Sequence, residues 1–209
     1  MPRVVCLSDT HNRQGFDVPD GDILIHAGDL TGRGTLPEIT AVDEWLGRLP
    51  HRHKIVIAGN HDFLFEENSA LARSLITNAT YLQDSAAEAE GFKIWGSPWQ
   101  PWFYDWAFNL RRGEALREKW AMIPEGTDIL VTHGPPMGIL DETDHGERAG
   151  CQDLRDRIAG MSAPPRLHVF GHIHEAYGIE RARRTTYVNA SVCDLSYRPV
   201  NAPIVIDLP

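Results

Sequence analysis

The sequence predicts an α/β fold in which strands alternate with helices in packed layers. Three observations support this class: five short, β-branched apolar runs that end in polar residues and glycine, amphipathic helical patterns between some of them, and a hairpin pattern near the C-terminus. Runs that are apolar almost throughout are typical of central strands buried on both faces. Their alternation with helices favours the α/β class.

The predicted central strands are all short and rich in apolar residues. They are Arg3–Ser8, Asp22–His26, Lys54–Ala58, Asp128–Thr132 and Leu167–Phe170. Each predicted helix has one apolar face, and in the first of them a proline suits the first helical turn. The helices are Pro37–Arg48, Phe63–Ile76, Arg112–Met122 and the shorter Gln152–Ile158.

The C-terminal part of the chain follows a different pattern. Ala176–Ala182 and Thr186–Val192, joined by the basic turn Arg183–Arg184, predict a β-hairpin, and Ala202–Leu208 predicts a final strand. Glu88–Trp95 is a further candidate for an antiparallel strand. These segments predict a mixed sheet, or two sheets packed together between helices. The sequence contains no internal repeat and no low-complexity linker, so we expect residues 1–209 to form one domain.

Composition narrows the classes of function. The formal net charge of -9 disfavours nucleic acid as a partner, because a broad nucleic-acid surface needs clustered lysine and arginine. The three cysteines form no CxxC pair, which argues against a disulfide framework and a structural zinc site. The N-terminal run lacks the long apolar region of a signal peptide, and no segment approaches a membrane span. We therefore expect a soluble cytoplasmic protein without membrane association, and its oligomeric state stays open.

A polar cluster follows each of the five predicted strands. The clusters are Ser8–Asn12, His26–Asp29, Gly59–Asp62, Thr132–Pro136 and Gly171–His174. Ligands of open α/β sheets bind outside the carboxyl ends of the strands, so we expect the clusters to converge on one rim. Carboxylate oxygen, amide oxygen and imidazole nitrogen are ligands of borderline and hard divalent metals. The absence of cysteine from the clusters argues against a closed structural zinc site.

These clusters resemble the sequence blocks of the calcineurin-like metallophosphoesterase superfamily, which read D-x-H, G-D, G-N-H-D/E, G-H or H-G, and G-H-x-H. All five occur here in that order, as Asp9–His11, Gly28–Asp29, Gly59–Asp62, Thr132–Gly134 and Gly171–His174. One block alone is a weak signal, whereas five in order, each after a predicted strand, are a strong one. Four further segments resemble a subgroup related to the metallophosphoesterase-domain-containing brain proteins, which is associated with phosphodiesterase activity. They are Ile25–Thr31, Gly96–Pro98, Trp106–Asn109 and His133–Pro136.

The resemblance implies a four-layer α/β/β/α sandwich with two central mixed β-sheets and a dinuclear metal site at the C-terminal ends of strands. It implies two divalent ions as cofactors, either manganese, iron or zinc, with manganese favoured in vitro. One ion would be held by Asp9, His11 and His174, the other by Asn60, His133 and His172, with Asp29 bridging both. His61 would bind no metal and would face the substrate.

Two such ions about 3.5–4 Å apart lower the pKa of a bound water from about 16 to near 7 and so supply a nucleophile at neutral pH. The leaving alkoxide still needs a proton, which His61 is placed to donate as a general acid. We therefore expect a hydrolase of small phosphate esters, either phosphodiesters, cyclic nucleotides among them, or phosphomonoesters. The alternatives are a nuclease of the same superfamily, disfavoured by the acidic balance, and a non-catalytic scaffold, disfavoured by the complete ligand set.

One position departs from the protein Ser/Thr phosphatases of this superfamily. Their G-D-x-x-D-R-G block has a second aspartate that supports the catalytic histidine, and Gly32 stands at that place here. A phosphoprotein phosphatase is therefore disfavoured. Arg33 matches the arginine of the block and is a candidate substrate contact, with a solvated loop arginine as the alternative.

Four features stay open at this point. Asp62 orients His61 or pairs elsewhere, and His145 contacts either substrate or solvent. His26 is expected to be buried or to orient a metal ligand. The segment Trp95–Trp106 holds four of the six tryptophans. Its favoured interpretation is a hydrophobic cluster that pins a long loop, and the alternative is a platform on which a nucleobase stacks.

Overall fold

The computed structural model describes residues 1–209 as thirteen strands, five α-helices and one 3₁₀ turn. The strands are Arg3–Leu7 (β1), Ile23–Ala27 (β2), His53–Ile57 (β3), Thr80–Tyr81 (β4), Ser85–Ala89 (β5), Phe92–Ser97 (β6), Gln100–Pro101 (β7), Asn109–Leu110 (β8), Ile129–Thr132 (β9), Leu167–Phe170 (β10), Gly178–Ala182 (β11), Thr185–Asn189 (β12) and Ile204–Asp207 (β13). The helices are Leu36–Arg48 (α1), Phe63–Glu67 (α2), Ser69–Leu75 (α3), Glu114–Ala121 (α4) and Gln152–Gly160 (α5), and the 3₁₀ turn is His174–Ala176. None of these helices has the length and apolar character that crossing a membrane requires.

Two mixed sheets organise the chain. The first has the strand order β13-β1-β2-β3-β4 and is parallel except for β13. The second has the order β11-β12-β10-β9-β6-β5, with parallel pairing in the centre and an antiparallel strand at each edge. A parallel bridge between Ser8 and Ser191 joins the ends of β1 and β12, and so links the two sheets. The five predicted central strands are therefore divided between two sheets.

Three hydrophobic clusters identify the layers. The largest contains 20 buried residues from both sheets and fills the space between them. Within β1, Val4 and Cys6 belong to this inner cluster, whereas Val5 and Leu7 pack outward against the layer of α1, α2 and α3. Successive side chains of a strand point to opposite faces, which explains why these strands are apolar throughout. The third cluster joins the second sheet to α4 and α5, which completes the predicted four layers.

Helix α1 fixes part of the rim where the polar clusters meet. The Glu38 carboxylate accepts hydrogen bonds from the backbone N–H and the hydroxyl of Thr35, both at 2.8 Å, which satisfies a free backbone donor at the helix start. The same carboxylate accepts a bond of 2.7 Å from the Asn12 amide. The N-terminal end of α1 is thus tied to the loop that follows β1 and carries His11.

Two predicted elements differ from the structure. Phe63–Ile76 forms two helices instead of one, because Asn68 leaves the helical conformation (φ -145°, ψ 72°) and its side chain caps α3 by accepting from the Leu71 N–H. Glu88–Trp95 is the middle of a hairpin instead of one strand, with its turn at Glu90 and Gly91 in the left-handed region. The first strand of that hairpin is rich in alanine and glutamate, which have low strand propensity, so its sequence gives little signal.

Candidate metal centre

The loops that leave the sheets have an unusual backbone. Asp9 (φ 55°), His11 (φ 43°), Asp29 (φ 52°) and His172 (φ 70°) all adopt the left-handed region, which non-glycine residues rarely occupy. Such conformations cost about 1–3 kcal/mol each and cluster at functional sites, where surrounding contacts maintain them. Four of the seven predicted metal ligands therefore lie in strained turns that direct their side chains toward a common centre.

Two glycines allow the loops to approach closely. A Cβ atom at Gly59 would overlap Asp29 Oδ1, and a Cβ atom at Gly171 would overlap the Asp9 carboxylate. Both glycines directly precede or lie beside predicted ligands, and both carboxylates are buried. Any larger residue at these positions would displace a carboxylate from the centre.

One group of predicted ligands consists of Asp9, His11 and His174. His174 Nε2 lies 3.3 Å from Asp9 Oδ1 and 3.4 Å from His11 Nε2. His174 Nδ1 lies 3.0 Å from the Asp194 carbonyl, to which it donates, so Nε2 is the ring atom that can bind a metal at the centre. Asp9 is held by the Ser191 hydroxyl at 2.8 Å. These three side chains offer ligand atoms within 4.8 Å of one another.

The second group contains His133, Asn60 and, further away, His172. His133 Nδ1 lies 2.9 Å from the Ala27 carbonyl, to which it donates, so its Nε2 faces Asn60 Oδ1 at 2.9 Å. In the metal-free protein these two atoms share a proton, and a cation bound by both atoms would replace it. The His172 ring lies beside that of His133, with centroids 5.0 Å apart, and desolvation lowers the pKa of His172 to about 3, which keeps it neutral as a metal ligand must be.

Asp29 lies between the two groups. Its Oδ1 is 3.5 Å from His133 Nε2, and its Oδ2 is 3.7 Å from His11 Nε2. The His61 backbone N–H also donates to Oδ1 at 2.8 Å, which fixes the orientation of the carboxylate. One oxygen facing each group is the arrangement that a bridging carboxylate requires.

The charges at the centre fit divalent cations. Asp9 and Asp29 are buried and form ion pairs with histidines alone, with no lysine or arginine among their partners. Burial raises the pKa of each carboxyl group, but the histidines outweigh it and lower both, so both are ionised. Burial likewise lowers the pKa of His133 and His174, but the carboxylates outweigh it and raise both to about 9, so in the metal-free protein these two imidazoles carry protons. Those protons compensate the buried negative charge, and a bound cation would displace them and take over that role. Divalent manganese, iron or zinc would fill it with these oxygen and nitrogen ligands.

His61 lies at the edge of this centre. Its Nδ1 donates to the Gly32 backbone carbonyl at 3.0 Å, and its Nε2 lies 3.9 Å from Asp29 Oδ2. The ligand atoms of His61, His11 and Asp29 lie within 4.8 Å of one another, so the distances also permit a metal-ligand role for His61. The carbonyl of Gly32 thus supports His61 at the position where the protein phosphatases have a carboxylate.

Asp62 pairs elsewhere and does not orient His61. Its carboxylate accepts hydrogen bonds from the backbone N–H groups of Gly59, Leu30 and Thr31 at 2.8–3.1 Å, and from the Thr31 hydroxyl at 2.6 Å. It therefore ties the loop after β2 to the loop after β3. Burial, and next the charge of Asp29, raise the pKa of Asp62 to about 6.

Three other side chains lie outside the centre. Arg33 is exposed, with its guanidinium carbon 5.5 Å from the centroid of the Trp106 ring, and a direct contact with substrate stays a prediction. His26 is buried and its Nε2 lies 2.9 Å from the Thr10 hydroxyl, so it supports the turn that carries Asp9 and His11. The side chain of His145 is 84% exposed, in contact with solvent.

The aromatic segment has two parts. Trp95 is buried in the third hydrophobic cluster and Trp99 donates to Asp84 at 2.9 Å, as the interpretation of a pinned loop predicts. That interpretation is wrong for Trp102 and Phe103, which are 60% and 49% exposed and line a cavity of about 480 Å³. Five residues of the candidate centre line the same cavity, namely Asp29, Asn60, His61, His172 and His174.

Sequence reasoning missed the loop after β12. Ser191 holds Asp9, the Asp194 carbonyl orients His174, and Tyr197 lies 4.6 Å from the His11 ring and lines the cavity. A signal was present, since two polar residues, Asn189 and Ser191, stand at the end of β12. This polar segment matches none of the superfamily blocks. Hydroxyl and carbonyl groups that only hold the predicted metal ligands in place follow no characteristic spacing in a sequence.

Comparisons with known proteins identify the family of this chain. A family model described as calcineurin-like phosphoesterase matches residues 2–176, which include every predicted metal ligand. The chain is 52% identical to human "Metallophosphoesterase domain-containing protein 1", over 99% of this chain and 71% of the human protein. It is 38% identical to a UPF0046 protein of Caenorhabditis elegans, over 99% of this chain and 81% of that protein.

A solved crystal structure shares the fold with a TM-score of 0.68, covering 90% of each chain at 18% sequence identity. At that identity the likeness shows the fold alone. The family model and the relatives cover most of this chain. The chain belongs to the calcineurin-like phosphoesterase family.

Proposed function

We propose that this protein hydrolyses phosphodiesters with two divalent metal ions. One ion would be held by Asp9, His11 and His174, the other by Asn60, His133 and His172, and Asp29 would contribute to both sites. The observation that carries the proposal is the position of Asp29, whose two oxygens face different groups of ligands. Membership of the family supports the same chemistry.

The protein prepares its ligands through hydrogen bonds. When bound, two divalent ions lower the pKa of a coordinated water and offset the negative charge of the phosphoryl oxygens. The carbonyls of Asp194 and Ala27 orient His174 and His133, so their Nε2 atoms are available to metal. The Asp29 carboxylate would reduce the repulsion between two neighbouring cations. These contacts set the geometry before any substrate arrives.

His61 acts as the general acid in this proposal. Water supplies the oxygen that joins phosphorus and releases one proton to solvent, and the leaving oxygen takes the electron pair of the broken P–O bond together with the proton from His61 Nε2. His61 then regains a proton from solvent. The Gly32 carbonyl accepts from Nδ1–H throughout, so the ring keeps one orientation while Nε2 gives up its proton. Such assistance contributes about 10²–10⁴ in rate.

The charge around the cavity favours a diester over a monoester. A phosphomonoester dianion needs more positive charge than the monoanion of a diester. Arg148, which lines the cavity, is paired with two acidic side chains, and Arg112 donates to two backbone carbonyls. Glu147 and Glu175 add negative charge to the same lining. Little positive charge is therefore left to bind a second negative charge on the phosphate.

The apolar lining of the cavity suits the second ester substituent. Trp102, Phe103, Leu195 and Tyr197 are exposed and surround the opening near the candidate centre. Exposed apolar residues that are grouped at a cleft indicate a binding surface. A nuclease would need a line of lysine and arginine side chains to bind the nucleic-acid backbone. A non-catalytic scaffold would need no set of metal ligands. Neither alternative therefore explains the lining as well as a phosphodiesterase does.

A panel of esters with manganese tests the proposal. We expect hydrolysis of bis(4-nitrophenyl) phosphate and of a cyclic nucleotide with a higher kcat/KM than that of 4-nitrophenyl phosphate, and two metal ions per chain by elemental analysis. Faster turnover of the monoester would contradict the preference for diesters. Two bound metals without turnover of any ester would favour the scaffold.

Removal of the metals is expected to abolish hydrolysis and leave the fold intact. None of the predicted ligands belongs to the three hydrophobic clusters, so the core does not depend on metal as that of a small zinc domain does. The midpoint of thermal unfolding should fall, because ligands that bind only the folded state stabilise it. Circular dichroism of the EDTA-treated protein, with recovery of activity on adding manganese, checks this. Loss of secondary structure without metal would contradict it.

A further inference from the structure

Trp106 lies directly against His61. The two ring centroids are 4.3 Å apart and the ring planes are inclined by 31°, so the rings are close to stacked. On another side, the His11 ring meets the His61 ring edge-on at 4.5 Å. Together with the hydrogen bond from Nδ1 to the Gly32 carbonyl, these contacts leave the imidazole little freedom to rotate. The Tyr197 ring also meets His61 edge-on, at 5.8 Å and 70°, so among the neighbouring rings Trp106 is the one that lies nearest to parallel with the imidazole.

The backbone around Trp106 is tied to the metal centre. The Ala107 N–H donates to the Asn60 carbonyl at 3.1 Å, so the residue after Trp106 is bonded to the residue before His61. The Phe108 N–H donates to Glu66 in α2 at 2.9 Å. The position of the indole is therefore set by two bonds that do not involve its own ring. Sequence separates Trp106 from His61, but these bonds place the two side chains in contact.

Arg33 and Phe63 complete the environment of the indole. The guanidinium carbon of Arg33 lies 5.5 Å from the Trp106 ring centroid, within the range of a cation–π contact. The Phe63 ring lies 5.8 Å from the indole, inclined by 38°. Trp106 thus has neighbours of its own and is only half-buried, in the lining of the cavity.

We propose that Trp106 is a positioning residue that holds the His61 imidazole with Nε2 directed at the leaving oxygen. The inference rests on the proposed function and on His61 as its general acid. Gly32 alone offers one hydrogen bond, which permits rotation of the ring about that bond. The flat face of the indole blocks this rotation. Misplacement of a reacting group by about 1 Å costs about 10²-fold in rate, so a loss of this support is measurable.

Trp106→Leu tests the inference, because leucine fills part of the space without offering a flat face. We expect kcat for a methyl or ribose phosphodiester, whose leaving group needs a proton, to fall by about 10–100-fold. For bis(4-nitrophenyl) phosphate, whose leaving group departs without one, the fall should be less than about threefold, since general acid assistance adds little there. Metal content should stay at the wild-type value. Trp106→Phe, which restores a flat ring, should recover most of the loss.

Two further variants separate positioning from other roles. In the His61→Ala background, Trp106→Leu should cause no further fall in kcat on the alkyl ester, because the imidazole that Trp106 positions is already absent. Trp102→Ala is the matched control, since Trp102 lines the same cavity, whereas Trp106 is the tryptophan whose ring lies against His61. It should change KM for both esters and leave the ratio of their kcat values unchanged.

The outcomes distinguish this inference from the proposed function. If the wild-type protein hydrolyses neither ester, the proposed function fails. If the wild-type protein hydrolyses both esters, either of two results overturns only the positioning role. One is an equal fall in kcat on both esters in Trp106→Leu, and the other is a loss from Trp106→Leu that adds to the loss from His61→Ala. If the leucine variant does not fold by circular dichroism, the same pattern must appear in weaker form in Trp106→Phe. Equal losses on both esters in that variant would also overturn the inference.

Discussion

Asp29→Asn is expected to abolish phosphodiester hydrolysis more completely than loss of any ligand that contacts one ion. The substitution keeps the shape and one oxygen, so the bond from the His61 N–H at 2.8 Å can persist and the fold should survive. It removes the negative charge between the two groups of ligands. It also leaves one group facing the NH₂ of the side-chain amide instead of a carboxylate oxygen. Both ions are then affected at once. We expect a fall in kcat of more than about 10³-fold, or about 4 kcal/mol of transition-state stabilisation.

His11→Asn serves as the comparison variant, because His11 belongs to one group of ligands. It should lower metal content toward one ion per chain and leave more residual activity than Asp29→Asn. Elemental analysis and kcat with saturating manganese measure both effects, and circular dichroism checks the fold. Near-normal turnover of Asp29→Asn with two metals still bound would show that this carboxylate does not bridge.

The strands that carry the site were predictable because burial on both faces leaves a clear pattern. Val4 to Leu7 alternate between the inner cluster and the helix layer, and both environments are apolar. The polar residues after each strand then stand out against that background. Strand β5 lacks this contrast, since its three alanines and one glutamate lie at a sheet edge. Its prediction failed for that reason.

The support around the ligands was less predictable, because it is made by contacts between distant parts of the chain. Ser191 reaches Asp9 across 182 positions, through the bridge that joins the two sheets. The sequence around Gly32 indicated a missing carboxylate, and the structure shows a backbone carbonyl bonded to His61 instead. Every residue has a carbonyl, so no pattern of side chains identifies this acceptor. Composition likewise does not tell which ring of the aromatic segment is buried and which faces the cavity.

His61→Ala is expected to lower kcat for phosphodiester hydrolysis, and the fall should be larger the more strongly the leaving group needs a proton. On an alkyl or ribose ester, kcat should fall by about 10²–10⁴-fold, or about 3–5 kcal/mol. On bis(4-nitrophenyl) phosphate the fall should be clearly smaller, because nitrophenolate departs without protonation. The Nε2 atom lies 3.9 Å from Asp29 and belongs to one group of potential ligand atoms, so metal content must be measured beside kcat.

Metal content decides between the two roles that the distances allow for His61. If His61 is a general acid, its removal should leave the metal content unchanged, because Asn60 would supply the neighbouring oxygen ligand and Asp29 keeps its contacts with His11 and His133. As a ligand, its removal would lower metal content and slow both esters alike. Asn60→Ala is the matched control for that second pattern, since Asn60 adjoins His61 and faces His133 Nε2 at 2.9 Å. Equal losses on both esters in His61→Ala, or one missing ion, would assign His61 to the metal centre instead of the leaving group.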